Sequence, residues 1–172
     1  SILDAPITLD TLQENMPDCD VILSYLVVDD ALTLQVITAD GVTGFDNLAP
    51  VDEVSRLAAT LQFQLGRALA HGDRAISPSR VARLKRDTDA VLTQLYDLLI
   101  APVVSLLEGH NRLVIIPSGD LHSVPFYALM HDGRYLIDDF TSTRAPGVSI
   151  LVRMFNLRHK DGPSLDHPLI VG

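Results

Sequence analysis

Leu113-Val114-Ile115-Ile116-Pro117-Ser118-Gly119-Asp120-Leu121-His122-Ser123-Val124-Pro125-Phe126-Tyr127-Ala128-Leu129 decides how this chain is read. An apolar run stops at a proline, a small polar turn follows, and His122 sits three residues before Pro125-Phe126. Residues 112–117 show little polar alternation, which predicts a strand buried on both faces. The order continues with Asp132-Gly133-Arg134-Tyr135-Leu136-Ile137 and then Arg144-Ala145-Pro146.

Outward from that stretch, alternation and turn chemistry set the rest. Residues 21–28 and 32–37 read as strands joined by a tight turn at Asp29-Asp30. A second turn at Asp40-Gly41 leads to a short third strand over 42–45. Residues 51–71 carry Val54, Leu57, Ala58, Leu61, Leu65, Ala68 and Leu69 at helical spacing, with His71-Gly72 as the stop. Ser77-Pro78 predicts the start of another helix, Ser77 lending its hydroxyl to an orphan N–H and Pro78 taking the first helical position. Its apolar face is Val81, Leu84, Val91, Leu92, Leu95, Leu98 and Leu99, and Pro102 ends or kinks it. These two helices are expected to pack as an antiparallel pair. A short helix over 8–15 with Thr8 as cap, strands near 134–137 and 141–144, a last helix within 148–155 and a strand at 169–171 complete the expectation. The predicted class is α/β: an N-terminal meander or hairpin and a helix pair, leading into an α/β sheet.

Composition excludes several functions. A formal net charge of −9 argues against a nucleic-acid surface, which needs clustered Lys and Arg. Arg80, Arg83, Lys85 and Arg86 are diluted by Asp87 and Asp89 and read as a solvated helix face. Cys19 is the only cysteine, so no internal disulfide or four-cysteine zinc site can form, and a reducing compartment fits. No signal peptide and no run long enough for a membrane span is seen. Metal-ligand spacing and nucleotide-binding glycine motifs are lacking, so neither a metal nor a cofactor is expected.

Ser118, Asp120 and His122 have the chemistry of a hydrolytic triad, but three side chains on one turn rarely converge in a line. Cys19 lies between Asp18 and Asp20, which favour the protonated thiol and make a poor nucleophile. His71, His110, His131, His159 and His167 form no recognisable site. Asp29-Asp30 and Asp138-Asp139 read as turn residues.

Residues 113–129, with the segment on their C-terminal side, resemble the CHAT domain, a caspase-like family in the cysteine peptidase clan of caspases and separase. The resemblance is closest over 92–171, from Tyr96-Asp97-Leu98-Leu99 through the signature to Leu169-Ile170-Val171-Gly172. Pro117, Gly119, Leu121, His122, Pro125 and Phe126 match the signature, while Ser118 and Asp120 depart mildly from it. The resemblance divides the chain into a preceding hairpin and helix region, 1–90, and the first part of a CHAT domain, 91–172. It implies a cytoplasmic, bacterial-type cysteine endopeptidase with a His–Cys dyad, often associated with tetratricopeptide repeats. The family's catalytic histidine and cysteine lie further along, so no catalytic residue carries over to any position here. The chain is then expected to be a non-catalytic scaffold, inactive alone. Its partners would be its own catalytic half, a protein or peptide substrate reached through that half, and a regulatory protein. His122 has three readings: catalytic base, groove lining, or structural histidine bonding nearby backbone. The resemblance favours the last two. A non-enzymatic caspase-like interaction module and a stand-alone α/β domain are the rival readings.

Overall fold

The computed structural model describes residues 9–14, 16–18, 20–70 and 77–147. Cys19, the His71-Gly72 stop, the expected last helix and the 169–171 strand lie outside the described residues. A short helix α1 (Leu9–Glu14) precedes a meander of β1 (Asp20–Val28), β2 (Ala31–Thr38) and β3 (Gly41–Pro50). Asp29 and Asp30 join β1 to β2 as a two-residue turn with φ of 49° and 60°. Positive φ at both positions twists the turn the way the strands twist, and Asp tolerates it better than most residues.

The third strand corrects the sequence reading. It starts at Gly41, directly after an Ala39-Asp40 turn, and runs to Pro50. A register shift between Leu32 and Leu34, with Asn47 at φ 53°, interrupts the ladder and hides the two-residue period.

α2 (Val51–Ala70) follows at once, with Asp52 and Glu53 placed favourably in its first turn. Val54, Leu57, Ala58 and Leu61 are buried, but the expected stripe member Leu65 is 40% exposed. α3 (Pro78–Leu99) starts where Ser77-Pro78 predicts, though not by the expected cap. The Ser77 hydroxyl faces that of Ser79 at 3.2 Å, and the Ser77 carbonyl receives the N–H groups of Arg80 and Val81. Burial on α3 begins at Val91, and Val81 is 52% exposed. The far half of each helix thus extends past the apolar cover that the sheet provides. α2 and α3 pack on each other. A 3-10 segment (Ala101–Leu106) with Pro102 in its first turn follows Ile100.

β4 (Arg112–Ile116) then enters the sheet beside β1, parallel to it. Two 3-10 turns (Gly119–Ser123 and Phe126–Ala128), a small hairpin of β5 (Met130–His131) and β6 (Arg134–Tyr135), and one helical turn α4 (Leu136–Asp139) lead to β7 (Thr141–Arg144). The strand expected near 134–137 ends at Tyr135. The Asp138 carboxylate accepts the Tyr135 N–H at 2.8 Å and starts a helical turn there instead.

Among the described residues the main sheet has five strands in the order β3-β2-β1-β4-β7, antiparallel within the meander and parallel across β1, β4 and β7. The α/β class is therefore borne out. Position 90, where the sequence divides the chain, lies within α3, and the meander and the signature strand share this one sheet.

β4 is covered on both faces, as its composition predicts. Leu113 and Ile115 join the large core under α2, α3 and the signature turns. Val114 and Ile116 join a smaller cluster with Leu12, Met16, Ile22, Ile37 and Ala145. At the start of the β1–β4 ladder, Asp20 and Arg112 are register partners and form an ion pair of 2.9 Å, with the Asp20 side chain fully buried.

Candidate functional site

The signature begins where β4 ends. Pro117 is buried and closes the strand. Gly119 then takes φ +55°, a left-handed conformation that side chains disfavour. A Cβ at Gly119 would meet nothing within 4 Å, so the demand for glycine is conformational rather than spatial.

The turns are held mostly by their own backbone. The Leu121 N–H donates to the Ser118 carbonyl at 3.2 Å, and the Val124 N–H to the Leu121 carbonyl at 3.1 Å. The Ser123 hydroxyl donates to the Asp120 carbonyl at 2.7 Å. Leu121, Val124, Phe126 and Leu129 point inward and are buried in the main core. The Phe126 ring lies 5.4 Å from that of Tyr25 on β1, tilted by 39°.

Two side chains from elsewhere clamp the loop. Gln62 on α2 donates to the Ser123 carbonyl at 2.9 Å. Arg144 at the end of β7 donates to the His122 carbonyl at 2.7 Å and also to the Val124 carbonyl. The sequence reading assigns a role to neither clamp. Arg144 carries one signal: a cation at the end of a short polar strand with no acid at a neighbouring position.

The candidate triad is not assembled. Ser118, Asp120 and His122 make no hydrogen bond to one another, and Asp120 and His122 are exposed. His122 corrects the structural expectation in one respect. Its ring is exposed and bonds nothing among the described residues; its backbone carbonyl makes the structural contact, with Arg144. His131 stacks on Tyr96, with centroids 4.8 Å apart and planes 12° apart. Tyr96 titrates above its ordinary value, first because it is partly desolvated and then because Asp139, Asp97 and Asp132 lie nearby. Among the described residues no three His, Cys, Asp or Glu side chains gather as metal ligands, and no helix is long and apolar enough to cross a membrane.

What the loop does build is a cleft. A hollow of about 380 Å³ opens between the signature turns and β7, lined by Ser123, Phe126 and Tyr127 on one side and by Ser142 and Arg144 on the other. It lies toward the carboxyl ends of the parallel strands β4 and β7, where open α/β sheets usually bind their ligands.

Residues 89–172 match the CHAT domain family. The described part of the matched segment runs from the last turns of α3, through β4 and the signature turns, to β7. The lining residues of the cleft all lie within the matched segment. Gln62, which steadies the loop from α2, lies before the matched residues. No curated protein matches the chain.

Proposed function

We propose that this chain is the non-catalytic N-terminal portion of a CHAT-type cysteine endopeptidase, acting as the scaffold on which the catalytic half folds. The family match carries the reading. In the mechanism that goes with it, a histidine draws the proton from a cysteine thiol, and the thiolate attacks the scissile carbonyl. Both groups would come from outside these residues. The part of this chain is to hold β4 and the signature turns rigid, through the Phe126–Tyr25 contact and the Gln62 and Arg144 clamps. The partners on this reading are the catalytic half, a protein or peptide substrate reached through it, and a regulatory protein. A caspase-like core, a bacterial cytoplasmic setting and an associated tetratricopeptide region go with the same proposal.

The test compares this chain with the full product of its coding sequence on a mixed peptide library. The expected result is cleavage by the full product only, abolished by thiol alkylation and untouched by Cys19→Ser. Cleavage by this chain alone, lost on Ser118→Ala or Cys19→Ala, would overturn the proposal. Peptide binding without turnover by the full product would favour the interaction-module reading instead.

A further inference from the structure

We propose that the outer edge of β7, together with the cleft beside it, docks an extended peptide carrying an acidic side chain. The inference does not depend on the peptidase reading, because every group it uses lies among the described residues.

The backbone supplies the first half. In a parallel ladder each residue sends its N–H and C=O to the same side, and the side alternates along the strand. The Thr141 N–H donates to the Asn111 carbonyl and the Ala145 N–H to the Ile115 carbonyl, both at 2.9 Å. Thr141, Thr143 and Ala145 therefore face β4. Ser142 and Arg144 turn their backbone groups outward, where β7 is the last strand of the sheet among the described residues. This edge has no proline or lysine to discourage pairing, and its one charge, Arg144, is turned toward the signature loop. An added strand would find the donors and acceptors of Ser142 and Arg144 at the spacing of a sheet.

The side chains supply the second half. Ser142 and Arg144 share a sheet face with Leu113 and Ile115, the face on which the signature turns lie. A peptide paired to β7 sends every second side chain to that face, into the cleft. Phe126 and the 54% exposed Tyr127 offer it apolar surface. The Arg144 guanidinium offers charge. Its two protein bonds go to neutral carbonyls, and no carboxylate pairs with it among the described residues. Five N–H donors with two carbonyl partners leave it able to bind a carboxylate. The exposed Arg144 cation, with no acid partner among the described residues, is a local point of attraction for an acidic side chain in a chain whose net charge is −9.

The probe is a fluorescein-labelled pentapeptide with a central aspartate flanked by valines, titrated into the 172-residue chain and read by anisotropy. Saturable binding is expected, weakened about tenfold or more by N-methylation of alternate peptide amides or by Ser142→Pro. Ser142→Pro removes an outward N–H, leaves the bonds to β4 intact and follows an extended residue, so the fold should tolerate it. Replacing the peptide aspartate by asparagine should weaken binding about fivefold or more, with no change to the protein.

No saturation below about 1 mM, or binding indifferent to Ser142→Pro, would overturn the proposal. So would binding that appears only after residues 168–172 are removed, since the edge would then belong to the chain's own C-terminal strand. A dimer in sedimentation that Ser142→Pro dissolves, with no peptide binding, would assign the edge to a second copy and overturn it equally.

Discussion

The Tyr25 hydroxyl donates to the Leu99 carbonyl at 2.8 Å, inside the core and across 74 residues of sequence. Leu99 is the last residue of α3, so its carbonyl has no partner within the helix. Burial pushes the Tyr25 hydroxyl's pKa up, keeping it a neutral donor. Tyr25→Phe leaves that buried carbonyl unpaired and should cost about 1–3 kcal/mol in urea unfolding. An unchanged midpoint would show that another group takes over the carbonyl.

Phe126 is 2% exposed and touches the Tyr25 ring. Phe126→Ala should destabilise by about 3–5 kcal/mol, because the cavity lies between sheet and signature turns and cannot readily collapse. Calorimetry of the variant beside the wild-type chain checks this.

Arg144→Ala should act locally. It strips the His122 and Val124 carbonyls of a charged donor, costing about 1–3 kcal/mol, and should loosen residues 118–125 before the sheet. Faster amide exchange in that loop, with β1 and β2 unchanged, is the expected pattern. Uniform change across the sheet would count against it.

His122→Ala should be nearly silent for stability, within about 0.5 kcal/mol, since its ring is exposed and the bonding carbonyl remains. A larger loss would restore a structural role for the ring.

Asp20→Ala should be among the more damaging changes. It removes the fully buried partner of Arg112, and breaking such a pair typically costs about 3–5 kcal/mol. Arg112 retains some access to solvent, so the lower end is expected, and Asp20→Ala with Arg112→Met together should recover part of the loss.

Local features were legible in the sequence. The apolar run 113–116, the Asp29-Asp30 turn and the Ser77-Pro78 start each depend on neighbours along the chain, and each appears where expected. β3 was under-read because its bulge and left-handed Asn47 break the period on which the reading depends. The outer halves of α2 and α3 were over-read, because helical spacing reveals an apolar stripe but not how far its cover extends. At the site, the groups that hold the signature turns were not legible. Arg144 and Gln62 act on carbonyl groups, and a carbonyl leaves no mark on residue identity. The bonding of His122 was hidden for the same reason: the contact is made by its backbone carbonyl.

The parallel pairing of β1 with β4 has a consequence for how this protein is made. Asp20 and Arg112 are ladder partners, yet the ribosome delivers them about 90 residues apart. At about 5–20 residues per second, β1 waits on the order of 5–20 s for this partner strand. Through that interval the flank of β1 that β4 will occupy is bare, with Val21, Ile22 and Leu23 beside it. The nascent chain is then most open to mispairing with a neighbour on the same message. Slowing translation between β3 and β4 would lengthen this vulnerable period.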